Sequence, residues 1–83
     1  MSSVRDRVVN LLRANFPAVG QGGLQDNDSF LEYGVIDSIG MMELVLLLGT
    51  TFGVRVSDDE LMPENLDSIA SLCGYLQRKG IEN

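Results

Sequence analysis

No histidine occurs in this chain, and cysteine occurs once, at Cys73. Those two absences exclude much chemistry. A zinc site draws its ligands mainly from cysteine and histidine, which this chain cannot supply. A serine or cysteine nucleophile activated by a histidine base is excluded with it. A lone cysteine closes no internal disulfide, which fits a reducing compartment. There is also no run of about 18 apolar residues, so no membrane span is expected. The opening Met1-Ser2-Ser3-Val4-Arg5-Asp6 lacks the apolar core of a signal peptide, and the expected location is the cytoplasm.

Positive charge is scarce where it matters. Between residues 26 and 67 ten acidic residues face a single basic one, Arg55, a local net of −9 within an overall −6. Such a surface repels the phosphates of nucleic acid and anionic membranes, and it attracts basic protein surfaces. What the chain does have is 45% hydrophobic residues in 83 positions. That is ordinary for a folded globule, and the length suits one domain, residues 1–83. A chain this short has little core to spare for a deep enclosed active site.

The apolar pattern is helical. Val4, Val8, Leu11 and Leu12 fall on one face of a helix running to about Phe16, with Ser2 or Ser3 as cap and Pro17 as stop. Residues 17–37 form a long loop, broken by Gly20, Gly22 and Gly23 and turned at Asp26-Asn27-Asp28-Ser29. Phe30, Leu31, Tyr33, Val35 and Ile36 are expected to pin that loop to the core. The acidic run does not open a calcium loop, because its sixth position is Leu31 where glycine is needed. A second helix spans Ser38 to Phe52, with Gly53 at the C-terminal cap. Ser57 and Glu60 have capping-box spacing for a short turn, which Pro63 interrupts, and Glu64-Asn65-Leu66 is expected to start another. A last helix carries Ile69, Leu72, Cys73 and Leu76 on one face, capped by Asp67 or Ser68. Cys73 on that face reads as a buried, inert thiol. The expected fold is all-α: a small four-helix bundle of three main helices and one short one, with a long loop between helices 1 and 2.

The second helix is apolar on too many sides. Leu44, Val45, Leu48 and Phe52 make one coherent core face, and Ile39, Met42 and Leu46 make a second stripe. Either the long loop covers that stripe, or it stays open as a docking face to which Met41 and Met42 lend adaptability. Exposure at Ile39, Met42 and Leu46 separates the two.

Asp37 and Ser38 stand at the start of this helix, where both residue types favour the N-cap. Alone, the tripeptide Asp37-Ser38-Ile39 reads as a cap, and Asp67-Ser68-Ile69 repeats it before the last helix. A nucleophilic serine is weaker still: no histidine is available, and Ile36-Asp37-Ser38-Ile39-Gly40 lacks the first glycine of a nucleophile elbow.

The wider context resembles a known family. Leu31-Glu32-Tyr33-Gly34-Val35-Ile36-Asp37-Ser38-Ile39, then Glu43-Leu44-Val45 and Phe52-Gly53-Val54, looks like acyl and peptidyl carrier proteins. The similarity extends over nearly the whole chain, through the order and spacing of helix, long loop, Asp-Ser dipeptide, Phe-Gly ending and final helix.

The resemblance implies a carrier without catalysis of its own. Ser38 matches the serine that a phosphopantetheinyl transferase modifies with 4′-phosphopantetheine from coenzyme A. Asp37 matches the aspartate beside it. Acyl or aminoacyl cargo then rides as a thioester, supplied by a loading enzyme and passed to downstream synthases or transferases. Ile39, Met42, Glu43 and Leu46 become the partner-binding residues of a monomer. The family's fatty-acid carriers usually have more glutamates late in the second helix, where this chain has Gly49-Thr50-Thr51. Together with Gly34-Val35-Ile36-Asp37-Ser38 and Pro63-Glu64-Asn65-Leu66, this points to a dedicated pathway such as polyketide or nonribosomal peptide synthesis. The alternative is an unmodified acidic adaptor binding through Ile39, Met42 and Leu46.

Overall fold

The computed structural model describes residues 3–21 and 23–81. The expectations placed on Met1, Ser2 and Gly22 lie outside the described residues. Helix α1 spans Val4–Asn15, α2 Ser38–Phe52, α3 Pro63–Leu66 and α4 Ile69–Arg78, with single 3₁₀ turns at Pro17–Gly20 and Asp58–Glu60. No strand is present among the described residues. The architecture is the small all-α bundle the periodicity predicts.

The three longer helices begin where their capping chemistry dictates. Ser3 Oγ accepts the Asp6 N–H at 3.1 Å, and Asp6 reaches back to the Ser3 N–H, closing a capping box on α1. The helix ends at Asn15, one residue earlier than expected, with Phe16 as its C-cap and Pro17 opening a 3₁₀ turn inside what reads in sequence as plain loop. Helix α2 ends at Gly53, whose φ of 68° is left-handed and whose N–H bonds the Gly49 carbonyl. Pro63 does not interrupt a turn but starts α3, where its missing N–H and fixed φ cost nothing. Of the two candidate caps for α4, Ser68 takes the position and accepts the Ser71 N–H at 3.0 Å.

The core is built from Val4, Val8 and Leu12 of α1, Leu44 and Leu48 of α2, and Leu72, Tyr75 and Leu76 of α4, all at most 2% exposed. Phe30 from the long loop joins them with no exposed surface. A Cα radius of gyration of 11.6 Å matches the value of about 12 Å for a compact chain of this length.

The long loop is held by polar ties as much as by apolar pins. Arg5 forks onto Asp26 with two hydrogen bonds of 2.7 and 2.8 Å. The Asp26 carbonyl accepts the Ala70 N–H at 2.8 Å, and the Asp67 carbonyl accepts the Phe30 N–H at 2.9 Å. The Asp67 carboxylate takes the Ser29 hydroxyl and, at 3.0 Å, the Leu31 N–H. Asp67 is thus a loop clamp and not a helix cap. Among the expected pins, Phe30 and Ile36 are buried and Val35 half-buried, but Leu31 and Tyr33 are 43% and 63% exposed. Leu31 lies at the edge of an apolar cleft beside α2, and neither side chain enters the core.

Candidate functional site

The start of α2 is set by two residues. Asp37, in extended backbone, accepts the Gly40 N–H on Oδ1 at 2.7 Å, and its carbonyl accepts the Met41 N–H at 2.9 Å. Gly40 is needed at this spot. A Cβ there would lie 2.9 Å from Ile36 Cγ2 and 3.1 Å from Asp37 Oδ1. The glycine therefore lets the end of the loop tuck against the first turn. No periodicity in the sequence marks this requirement, because it arises from a contact across the loop–helix corner.

Ser38 is the first residue of α2 and exposed. Among the described residues nothing bonds to its hydroxyl, and neither the Ser38 nor the Ile39 N–H has an acceptor. An exposed hydroxyl beside two free helix N–H groups is a favourable place for a phosphate ester, worth about 0.3–1 kcal/mol at an exposed helix end. The duplicate tripeptide has a different fate. Ser68 is 7% exposed, and its Oγ bonds both the Ser71 hydroxyl at 2.9 Å and the Ser71 N–H.

The second apolar stripe of α2 is open. Ile39 is 82% exposed, Met42 57% and Leu46 72%, so the loop does not cover it. Glu43, on the same helix, is exposed as well. Beside the stripe lies an apolar cleft of about 190 Å³, walled by Met41, Met42 and Val45 on one side and by Leu61, Met62 and Leu66 on the other. The sequence contains no signal for this cleft, since its second wall is contributed by residues without amphipathic periodicity.

The far wall is anchored by Glu60. Its carboxylate accepts the Ser57 N–H at 3.1 Å, the Tyr75 hydroxyl at 2.9 Å and the Lys79 ammonium at 3.1 Å. The Ser57 N–H bond, then the Tyr75 and Lys79 bonds, hold the Glu60 pKa down at about 2. Burial, reinforced by the bond to Glu60, pushes Tyr75 up to about 12. Cys73 is half-buried and not fully buried as its helix face suggests, and burial raises its pKa. No group of metal-ligating side chains is found among the described residues, nor any helix long and apolar enough to cross a membrane.

A comparison with curated proteins finds no match. A family model described as a phosphopantetheine attachment site matches residues 6–76. The match includes both Ser38 and Ser68, and it favours a carrier over an unmodified adaptor. An exposed helix-start hydroxyl and a match over most of the chain lead to one conclusion: the protein belongs to the phosphopantetheine-attachment family of non-catalytic carrier proteins, which bear covalently attached 4′-phosphopantetheine.

Proposed function

We propose that Ser38 is the attachment residue and that residues 1–83 act as one carrier domain serving a dedicated biosynthetic pathway. The observation that carries the choice of serine is accessibility. The Ser38 hydroxyl is exposed and unbonded at the start of α2, whereas the Ser68 hydroxyl is buried and engaged as a cap. The residues around Ser38 suit the group: free N–H groups for a phosphodiester, and Asp37 locking the helix start from which it projects.

When attached, the group supplies a terminal thiol that holds acyl or aminoacyl cargo as a thioester. The chain's own residues do the rest. Ile39, Met42 and Leu46 offer partner enzymes an apolar face, with Glu43 as the acidic contact on that helix. The cleft beside them gives apolar cargo a wall to pack on. Its volume compares with an engineered cavity of about 150 Å³ that binds benzene, so it suits a short or branched apolar group. The partners are the phosphopantetheinyl transferase and the enzymes that load and use the cargo. Gly49-Thr50-Thr51 at the end of α2, in place of a run of acids, supports a polyketide or nonribosomal peptide pathway over primary fatty-acid synthesis.

The test is a mass measurement after incubation with coenzyme A and a broad-specificity transferase. The expected gain is one phosphopantetheine, absent in Ser38→Ala and kept in Ser68→Ala. Modification that persists in Ser38→Ala and vanishes in Ser68→Ala would move the site.

A further inference from the structure

The far end of α2 carries a second feature, about 17 Å along the helix axis from Ser38 at 1.5 Å per residue. There, Leu46, Gly49 and Thr50 of α2 and the segment Gly53–Val56 line a shallow, open groove of about 430 Å³. Three observations on it converge.

Gly49 sits inside a helix, where glycine weakens the fold relative to alanine. Internal packing does not demand it. An added Cβ would meet only the Val54 carbonyl, at an ordinary contact distance of 3.6 Å. The missing side chain leaves the groove floor open for the close approach of another backbone.

Leu46 forms one edge of the groove and is 72% exposed, so the apolar docking stripe runs into it without a break. Arg55 forms the other edge. It is exposed, it is the one basic residue among ten acids between 26 and 67, and among the described residues it makes no ion pair or hydrogen bond. Acidic side chains are plentiful in the chain, yet among the described residues none comes within ion-pair distance of it.

We infer that this groove receives a partner-protein helix that sets an apolar side chain against Leu46 and Gly49 and a carboxylate against Arg55. The polarity follows from charge complementarity. The acidic middle of the chain attracts basic partners in general, while Arg55 repels a cation at this one point. A partner with basic residues toward Ser38 and an acid at the other end is accepted in one orientation only. Arg55 is therefore an orientation-setting contact at the end of the docking face. This holds whether or not Ser38 carries the prosthetic group.

The experiment uses two stapled, alanine-rich helical peptides, one with leucine and glutamate four residues apart and one with leucine and lysine. Each is titrated into the ¹⁵N-labelled protein. The glutamate peptide is expected to shift the amides of Gly49, Thr50 and Gly53–Val56, with affinity about tenfold lower for Arg55→Glu. The lysine peptide should show the opposite preference. Gly49→Met should abolish binding of both while leaving the remaining spectrum folded, and Gly49→Ala controls for helix stability. Equal binding of the two peptides, indifference to Arg55→Glu, or shifts confined to Ile39–Met42 would overturn the inference. So would a dimer in the peptide-free wild type that Gly49→Met dissociates, since the groove would then belong to a second copy. Transferase modification of these variants, read separately by mass, should be unchanged, so failure here is distinguishable from failure at Ser38.

Discussion

Asp37 Oδ1 accepts the Gly40 N–H at 2.7 Å, and the same oxygen lies 3.1 Å from where a Gly40 Cβ would stand. The cap and the glycine are therefore one device, and together they fix where Ser38 projects from α2.

Two alanine substitutions in the same helix should diverge. Gly49→Ala gains helix propensity at an open position and should stabilise the protein by about 0.5–1 kcal/mol, raising Tm by several degrees. Gly40→Ala gains the same propensity but drives a methyl against Ile36 Cγ2 at 2.9 Å, and overpacking of that kind costs about 1–3 kcal/mol. Thermal unfolding of both variants should show Gly40→Ala at or below wild type and Gly49→Ala above it.

At Asp37 the side-chain shape matters more than its charge for folding. Asp37→Asn keeps an oxygen for the Gly40 N–H and should remain within a few tenths of a kcal/mol of wild type. Asp37→Ala loses the cap and should cost about 0.5–2 kcal/mol in chemical denaturation. Ser68→Ala should show a loss in the same range, because Ser68 caps α4.

The Glu60 anchor gives stability a pH dependence. Its folded pKa, about 2, lies below the ordinary 4.5, so its contribution is full above about pH 4.5 and fades as pH falls toward 2. Glu60→Gln should therefore destabilise the protein at neutral pH, with the gap to wild type narrowing steadily below pH 4.5. Tyr75 has the opposite sign. With a pKa raised to about 12, its contribution is full below about pH 10 and is lost as pH rises toward 12. Denaturation midpoints of wild type and both Glu60→Gln and Tyr75→Phe across pH 2–12 check the two limbs.

Ile39→Asp and Met42→Asp should leave helicity and Tm close to wild type, within about 0.5 kcal/mol for exposed positions. Transfer of cargo by partner enzymes should fall in both. Circular dichroism alongside a transfer assay separates a docking defect from unfolding.

Helices α1, α2 and α4 were legible because their apolar residues recur with helical period and their ends carry Ser3, Gly53 and Ser68. The residue types at Asp37-Ser38, set between a long loop and an over-apolar helix, marked the candidate site. Other features were decided in three dimensions. Asp67 and Ser68 were equivalent as caps in sequence, and only the arrival of Ser29 and Leu31 beside Asp67 assigned one to the loop and the other to α4. Leu31 and Tyr33 looked like pins but stay out of the core, Leu31 at the edge of the cleft beside α2 and Tyr33 in solvent, because the turn that buries Phe30 leaves no room for its neighbours there.

Ser38 shows the division clearly. Local sequence determined that a serine follows a capping aspartate at a helix start, since capping depends on neighbours in the chain. The same dipeptide stands before α4, where the serine itself and not the aspartate is the cap. That one hydroxyl stands open beside an exposed stripe while the other is buried at a helix end bonded to the loop through Asp26 and Phe30 was settled by packing, because burial depends on which distant segments come to lie across each helix end.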